Sequence, residues 1–482
     1  MRKKLVIDPV TRVEGHARVT VLLEDSGKVK DARVQVIELR GFEKFCIGRP
    51  VEEMPRIVTR ICGICPWAHH MASAKAVDSL FNVQIPEAGY KMRKAAYAAH
   101  LVHSHLLHFF FLAAPDLFSG PGTDYRVRNF IGLAAQNPDL VRKAVRTRHI
   151  AQEMTAIMAG NAIHPDAVVP GGFSRPLKEE QRRQLLPMAQ ECLDFTRFAL
   201  DYAKEKVFIP KWTDLKQEDS LTTSFLGTVD RDGGLSFYDG KLRLKAPGAN
   251  GGCEEFEPRD YRDFIDEQAV DWSYVKFPFI RSAGGLSMEP ENLTGVYRAN
   301  SLARLNVCSH IPTPFAQQEL LQFRQTVGEM PQHTFLHHWA RLIEAVHNAE
   351  VALALLSDPS ITDPVVRKKV IPQAGRGVGV VEAPRGTLIH DYEADEKGFV
   401  TSVNLIVGTT HNSAAINADV LKTARGVLED GQSDEEALNR IETVIRAYDP
   451  CFSCATHNLN GTLPVKMDIC DSRGNVMRSL YC

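Results

Sequence analysis

Two short stretches hold four sulfurs at paired spacing: "RICGICPWAH", residues 60 to 69, and "DPCFSCATH", residues 449 to 457. Each is a Cys-x-x-Cys pair, Cys62 with Cys65 and Cys451 with Cys454, and a histidine, His69 or His457, follows within four residues. Four thiolates make a soft, polarisable ligand set that suits Zn²⁺, an iron–sulfur cluster or nickel. Sulfur count alone leaves all three open. The distance between the pairs says more: 386 positions separate Cys65 from Cys451, whereas zinc ribbons set their pairs roughly 15 to 20 residues apart to staple a small fold. Arg60, His69, Asp449 and His457 are also polar groups for which a purely structural zinc ion has little use. Thiol–disulfide exchange lacks its usual βαβ setting around either pair.

For the two pairs to meet, the two ends of the chain must fold together. With 482 residues, 44% of them hydrophobic and 24% charged, the chain has the balance of a soluble globular protein with a large core or two to three domains. Residues 4 to 45 alternate apolar and polar side chains around the turn "DSGK", which predicts a β-hairpin sheet. From Val51 to about Lys206 helical spacing takes over, as in "AGYKMRKAAYAAHLVHSHLLHFFFLAA". Residues 211 to 290 turn to Gly, Asp, Tyr and Phe between short strand-like runs, and helical spacing then resumes. The expected fold class is mainly α (α+β): a long-helix bundle core with an N-terminal β-hairpin sheet and a β-rich insertion. Its expected segments are 1–50, 51–210, 211–290, 291–457 and a tail, 458–482.

Composition removes several function classes. The formal charge of −2, from 57 basic and 59 acidic residues, gives no electrostatic case for nucleic acid or an anionic membrane. The N-terminus lacks a secretory pattern, and the greasiest stretch, residues 106 to 118, is short and broken by His108, Pro115 and Asp116. Ten cysteines are too sparse for a disulfide scaffold. A cytoplasmic protein is expected.

The two cysteine motifs resemble the signature motifs of the large subunit of NiFe hydrogenases. "PVTRVEGH" (9 to 16), "RGFEKF" (40 to 45) and "EAPRG" (382 to 386) resemble three further stretches of that family, in the same order, and the resemblance runs from residue 7 to the C-terminus. It implies that Cys62 and Cys451 are terminal nickel ligands, and that Cys65 and Cys454 bridge nickel to an iron carrying two cyanides and one carbonyl. Glu14 matches the family's proton-relay glutamate, a role that burial supports by raising a carboxyl pKa; the bland alternative is a salt bridge to a neighbour such as Arg12. Arg385 matches an arginine placed over the metals, or else is a turn residue between Pro384 and Gly386. Glu43, a backbone carbonyl near Leu405 and His457 match ligands of a magnesium ion. Thr409 stands where the family places a hydroxyl that hydrogen-bonds a cyanide.

Three features stand apart from that pattern. Ser104 occupies the position where many members carry an Asp, so no carboxylate role is carried over there. His100, His103, His105 and His108 do not share one helical face and are expected in the core or an interface. Gly375, Gly377 and Gly379 lack the spacing and crossover unit of a dinucleotide loop, and close backbone packing is the expectation.

Oxidising dihydrogen releases electrons, yet Cys46, Cys192, Cys253, Cys308, Cys470 and Cys482 show no iron–sulfur spacing. The resemblance therefore implies an iron–sulfur small subunit, docked over roughly 2,000 Å² or more, with further flavin or iron–sulfur subunits leading to NAD(P), ferredoxin with electron bifurcation, or heterodisulfide reductase. A maturation endopeptidase cutting after His457 would remove 458–482. The reading from another class is a non-catalytic, zinc-binding structural or assembly subunit of a redox complex.

Overall fold

The computed structural model describes residues 4–215, 220–248, 251–428, 435–456, 466–470 and 476–481. Its N-terminal strands β1 (Lys4–Ile7), β2 (Ala17–Leu23) and β3 (Val29–Val36) form an antiparallel sheet in sequence order. Along β2, Ala17, Val19, Val21 and Leu23 are buried while the residues between them are half-exposed. That period of two gives the sheet one apolar face.

Helix α1 (Pro66–Leu80) starts directly after Cys65, with Pro66 in its first turn, where a missing N–H leaves no bond unmade. Helix α2 (Glu87–Leu107) continues through His108–Ala113 to Ser119. By length and composition this run could cross a membrane, but 78% of its apolar window is buried inside the protein. It is the central core helix. Around it stand α3 (Pro138–Ala159), α4 (Glu179–Ala203) and α5 (Leu336–Ser357), with α2 packed on α3 and α5, and α4 packed on the same two. Trp67, Tyr97 and Trp339 are fully buried there, each stabilising the fold by roughly 1.5–3 kcal/mol on the scale of large apolar side chains.

Between α4 and α5 the chain is β-rich. Strands β4 (Ser224–Val229), β5 (Lys241–Lys245) and β6 (Cys253–Phe256) pair antiparallel, and β9 (Tyr297–Arg298) adds to β4 in parallel, after the hairpin of β7 (Ile265–Gln268) and β8 (Phe277–Ile280). The architecture is the α+β class expected: long helices with several small sheets.

One sheet falls where helical spacing alone assigns a helical core. Strands β10 (Gly375–Ala383), β11 (Gly386–Ala394) and β12 (Val400–Ile406) form an antiparallel meander inside the segment 291–457. Most of β10 and β11 is buried, so the alternation that would have announced a strand is erased. Helix α1 lies on this sheet. A Cβ on Gly377 would stand 2.1 Å from the Ala76 carbonyl oxygen, and one on Gly379 2.0 Å from that of Ala72. Gly377 and Gly379 serve close backbone packing, as expected; Gly375 does not, since a Cβ there would stand 3.9 Å from the nearest atom, the Leu80 carbonyl oxygen. Helices α6 (Gly408–Val427) and α7 (Glu435–Ala447) then return the chain to the second cysteine pair, and α6 packs against β3.

Candidate metal centre

Each cysteine is placed by the end of an element. Cys62 has extended backbone after the helical turn Val58–Ile61, and Cys65 caps the N-terminus of α1. On the other side, Asp449 takes φ 53, a left-handed value that turns the chain after α7 toward Cys451. There the chain meets its own N-terminus: the Phe452 amide donates to the Glu14 carbonyl at 2.9 Å, and Glu14 and Cys451 form a parallel β-bridge.

All four cysteines are buried and unoxidised, and their Sγ atoms lie within 4.8 Å of one another. Cys62 and Cys451 are 3.4 Å apart, and Cys65 and Cys454 3.6 Å. Among the described residues no other group of three or more His, Cys, Asp or Glu converges in this way. Burial opposes ionising Cys62, but hydrogen bonds from the other three thiols and the Arg385 charge outweigh it and push this thiol well below its ordinary value. The Ile64 and Cys65 amides also donate to its sulfur, each at 3.2 Å. Burial pushes Cys451 and Cys454 up. With metal bound, the metal's own charge would override these influences.

Arg385 occupies the tip of the β10–β11 hairpin. Gly386, φ 144, permits that tip, because a Cβ there would sit 1.9 Å from the Ala299 carbonyl oxygen. The guanidinium is buried and pairs with Asp449 Oδ1 at 3.2 Å. Among the described residues its Nε, Nη1 and Nη2 otherwise find no hydrogen-bond acceptor. It lines a small cavity with Cys65, Cys451, His69, Thr409, Pro384 and Leu388. Burial works against the arginine's charge, yet Asp449 and the cysteines hold its pKa well above the ordinary value. Thr409 Oγ1 accepts from the Cys451 amide at 2.8 Å, which leaves the hydroxyl proton available to a second acceptor. His69 pairs with His390 through Nδ1 at 3.1 Å.

Glu14 also meets the cluster: the Cys451 thiol donates to its Oε2 at 2.8 Å. Burial, then the Cys62 charge, raises its pKa. The bland partner is elsewhere: Arg12 bonds Asp116 and the Leu112 carbonyl. Glu43 is buried, and its Oε1 accepts from the Leu405 amide at 2.8 Å and from the Lys276 ammonium at 2.9 Å. Lys276 further bonds Asn404 Oδ1 at 2.6 Å and pairs with Glu267 at 3.0 Å. Sequence reasoning missed this lysine, which no motif marks. His457 lies outside the described residues.

The histidines of α2 are core groups. His103 lies 3.4 Å from the Arg148 carbonyl, His105 3.2 Å from Glu344, and His108 2.7 Å from the Arg446 carbonyl. Ser104 is buried beside them, and its hydroxyl has no partner among the described residues.

Comparison with known proteins shows what this arrangement is. Over 99% of this chain and 100% of the relative, the sequence is 41% identical to an F420-non-reducing hydrogenase chain of Methanothermobacter thermautotrophicus. The chain belongs to the NiFe hydrogenase large subunits. The nickel-dependent hydrogenase family model matches residues 40–119 and 324–457 of this hydrogenase subunit, and a HoxL-like model matches 4–39. The NAD-reducing hydrogenase HoxS subunit beta of Cupriavidus necator is 38% identical over 99% of both chains. A crystal structure of an NAD⁺-reducing [NiFe]-hydrogenase in the H2-reduced state superposes with a TM-score of 0.88 at 42% identity, covering 94% of this chain and 99% of that one. The subunit is thus an oxidoreductase acting on dihydrogen, its four cysteines form the nickel–iron site, and a small subunit is its implied partner. The residues fit that group: four soft sulfurs for the metals, and a buried guanidinium whose unpaired N–H groups border the cavity beside them.

Proposed function

We propose that this subunit catalyses the reversible heterolytic oxidation of dihydrogen to protons and electrons at a nickel–iron centre whose iron carries two cyanides and one carbonyl. One observation carries the reading: four thiols converge, with a buried guanidinium lining the cavity beside them and a carboxyl 2.8 Å from Cys451. When bound, the nickel–iron pair supplies the Lewis-acid and redox chemistry that splits dihydrogen.

The chain's own groups hold and move what surrounds that step. Cys62 and Cys451 would hold nickel, and Cys65 and Cys454 would hold nickel together with the iron. Arg385, held by Asp449, offers its unpaired N–H groups to the acceptors in the cavity, and the Thr409 hydroxyl, fixed by the Cys451 amide, donates beside it. Glu14 accepts the proton at Oε2 from the Cys451 sulfur, and its raised pKa suits a group that must both take and release one.

Magnesium is assigned to Glu43, the Leu405 carbonyl and His457. Such an ion would have to take Glu43 from Lys276, which keeps Glu267 and Asn404 as acceptors. Electrons leave through the iron–sulfur small subunit, then through flavin or further iron–sulfur subunits to NAD(P), ferredoxin or heterodisulfide reductase, in a cytoplasmic complex. The NAD-reducing activity for which one relative is named supports an acceptor from this group. A maturation endopeptidase acting after His457 completes the assignment.

Metal analysis of the purified complex with infrared spectroscopy and hydrogen-dependent dye reduction tests the proposal. The expected result is about one nickel per four-cysteine site, with bands from iron-bound cyanide and carbonyl. Zinc in place of nickel, with no dye reduction, would sink it.

A further inference from the structure

The turn that presents Arg385 is held from behind. Ala383 pairs with Gly386 in the register of β10 and β11, so Pro384 and Arg385 alone make the turn, and both are buried. Buried carbonyls need donors. Arg304, on the short helix Ser301–Val307, supplies them: its Nη1 donates to the Ala383 carbonyl at 3.0 Å and its Nη2 to that of Pro384 at 3.3 Å. Asn412 of α6 donates through Nδ2 to the Arg385 carbonyl at 3.1 Å. Three successive carbonyls, ending at that of Arg385 itself, are thus fixed by side chains.

Arg304 is in turn fixed by two carboxylates. Glu344 of α5 takes it in a fork, Nε to Oε1 at 2.6 Å and Nη2 to Oε2 at 2.7 Å, and Ser301 Oγ donates to the same Oε2 at 2.7 Å. Glu382 Oε2 accepts from Nη1 at 3.0 Å, while its Oε1 takes the amide and hydroxyl of Thr228 and the hydroxyl of Thr387. Arg304, Glu344 and Glu382 are all fully buried. Buried charges are a poor way to stabilise a fold, since apolar side chains of similar volume often do as well or better. What a planar, bidentate pair does provide is direction.

We propose that Arg304, set by Glu344 and Glu382, is a positioning residue for Arg385. It is not among the residues that line the cavity beside the cysteines, and it acts through the turn. By holding the two carbonyls that precede Arg385 it fixes the point from which that side chain starts, while Asp449 holds the guanidinium at the far end. A long side chain anchored only at its tip is free to swing its N–H groups away from the cavity. Anchored at both ends, it presents them at one place. The proposal rests on Arg385 acting at the metal centre.

The test uses the assembled hydrogenase complex and compares Arg304→Lys, Glu344→Gln, Arg385→Lys and Arg93→Lys. Nickel content, melting temperature, turnover per nickel and the infrared bands of iron-bound cyanide, which respond to hydrogen bonds made to them, are read for each. Arg93 is the control: it is equally buried and bonds Asp78 and the Val169 and Gly172 carbonyls, none of them in the hairpin. Arg304→Lys keeps a charge between Glu344 and Glu382 and loses the fork. It should keep nickel, shift the cyanide bands, and slow turnover per nickel by roughly ten- to a hundred-fold, the scale of a group misplaced at a reacting centre. Arg93→Lys should lower the melting temperature without moving the bands or the rate. Parental bands and rate in Arg304→Lys, however far its melting temperature falls, would overturn the proposal, as would the same band shift in Arg93→Lys. If Arg304→Lys takes up no nickel, Glu344→Gln, which keeps the shape and one acceptor for Arg304, decides by the same readings. Loss of nickel from both would make the network a structural clamp and overturn the proposal as well. Parental turnover in Arg385→Lys would remove Arg385 from the reaction and this proposal with it. A slow Arg385→Lys beside a parental Arg304→Lys would overturn the positioning alone and leave the proposed function standing.

Discussion

The Cys451 thiol donates to Glu14 Oε2 over 2.8 Å, although 437 positions separate the two residues in the chain. Their backbones are bridged as well, so the carboxyl is held against the sulfur by main chain rather than by a flexible side chain alone. Glu14→Gln keeps the shape and the backbone bridge but cannot take a proton. We expect parental nickel and iron contents, with hydrogen-dependent dye reduction falling by about a hundred-fold or more, as for removal of a general base. Unchanged turnover would remove Glu14 from the proton path.

Gly379→Ala tests the contact that seats the first cysteine pair. The new Cβ would meet the Ala72 carbonyl oxygen at 2.0 Å and the Ala76 nitrogen at 2.3 Å, both backbone atoms of α1 that cannot turn aside. Helix α1 must move, and it carries Cys65 and His69 at its start. The expected cost is about 3 kcal/mol or more, at the upper end of overpacking, read as a lowered melting temperature together with reduced nickel content. A variant with parental stability and metal would show that α1 is not positioned by this strand.

The four-sulfur site was legible because thiolate chemistry is scarce: few residue types can do what Cys62, Cys65, Cys451 and Cys454 do, and their spacing is local. Helices α2 and α5 were legible from their period. The β10–β11 hairpin that presents Arg385 was not, because a strand buried on both faces has no alternation to read. Lys276 escaped for a different reason. It gains meaning only from a residue far away in sequence, Glu43, and no local pattern marks such a pair.

Acid should unfold this protein through its buried histidines. His70 Nδ1 donates to the Pro55 carbonyl at 2.7 Å, and its Nε2 accepts from the Val168 amide at 3.0 Å, an arrangement that only the neutral ring satisfies. Burial lowers its pKa from 6.5 to about 4, and burial does the same for His347. Between those values the unfolded chain binds more protons than the folded one, so the stability is present above pH 6.5 and is lost as pH falls toward 4. Each such histidine contributes roughly 3 kcal/mol across that window. Denaturant midpoints should drop steadily from pH 7 to pH 5, and His347→Gln, which takes up no proton, should flatten the slope. A midpoint independent of pH over this range would contradict the buried neutral assignment.

Arg385 and Asp449 separate stability from chemistry. Asp449 is the buried counter-charge of the guanidinium at 3.2 Å, so Asp449→Asn leaves a positive charge with one fewer partner, at a cost of roughly 3–5 kcal/mol for a broken buried pair. Arg385→Lys keeps the charge near Asp449 and loses the planar fork whose N–H groups, beyond that ion pair, have no acceptor among the described residues. We therefore expect Asp449→Asn to lower the melting temperature and metal retention together. Arg385→Lys should keep nickel and most of the stability while turnover falls by about a hundred-fold, the scale of one lost electrostatic donor at a reacting centre. If Arg385→Lys instead loses stability and keeps its rate per nickel, the guanidinium is a structural clamp for the loop that carries Cys451, and its placement beside the cavity has no part in the reaction.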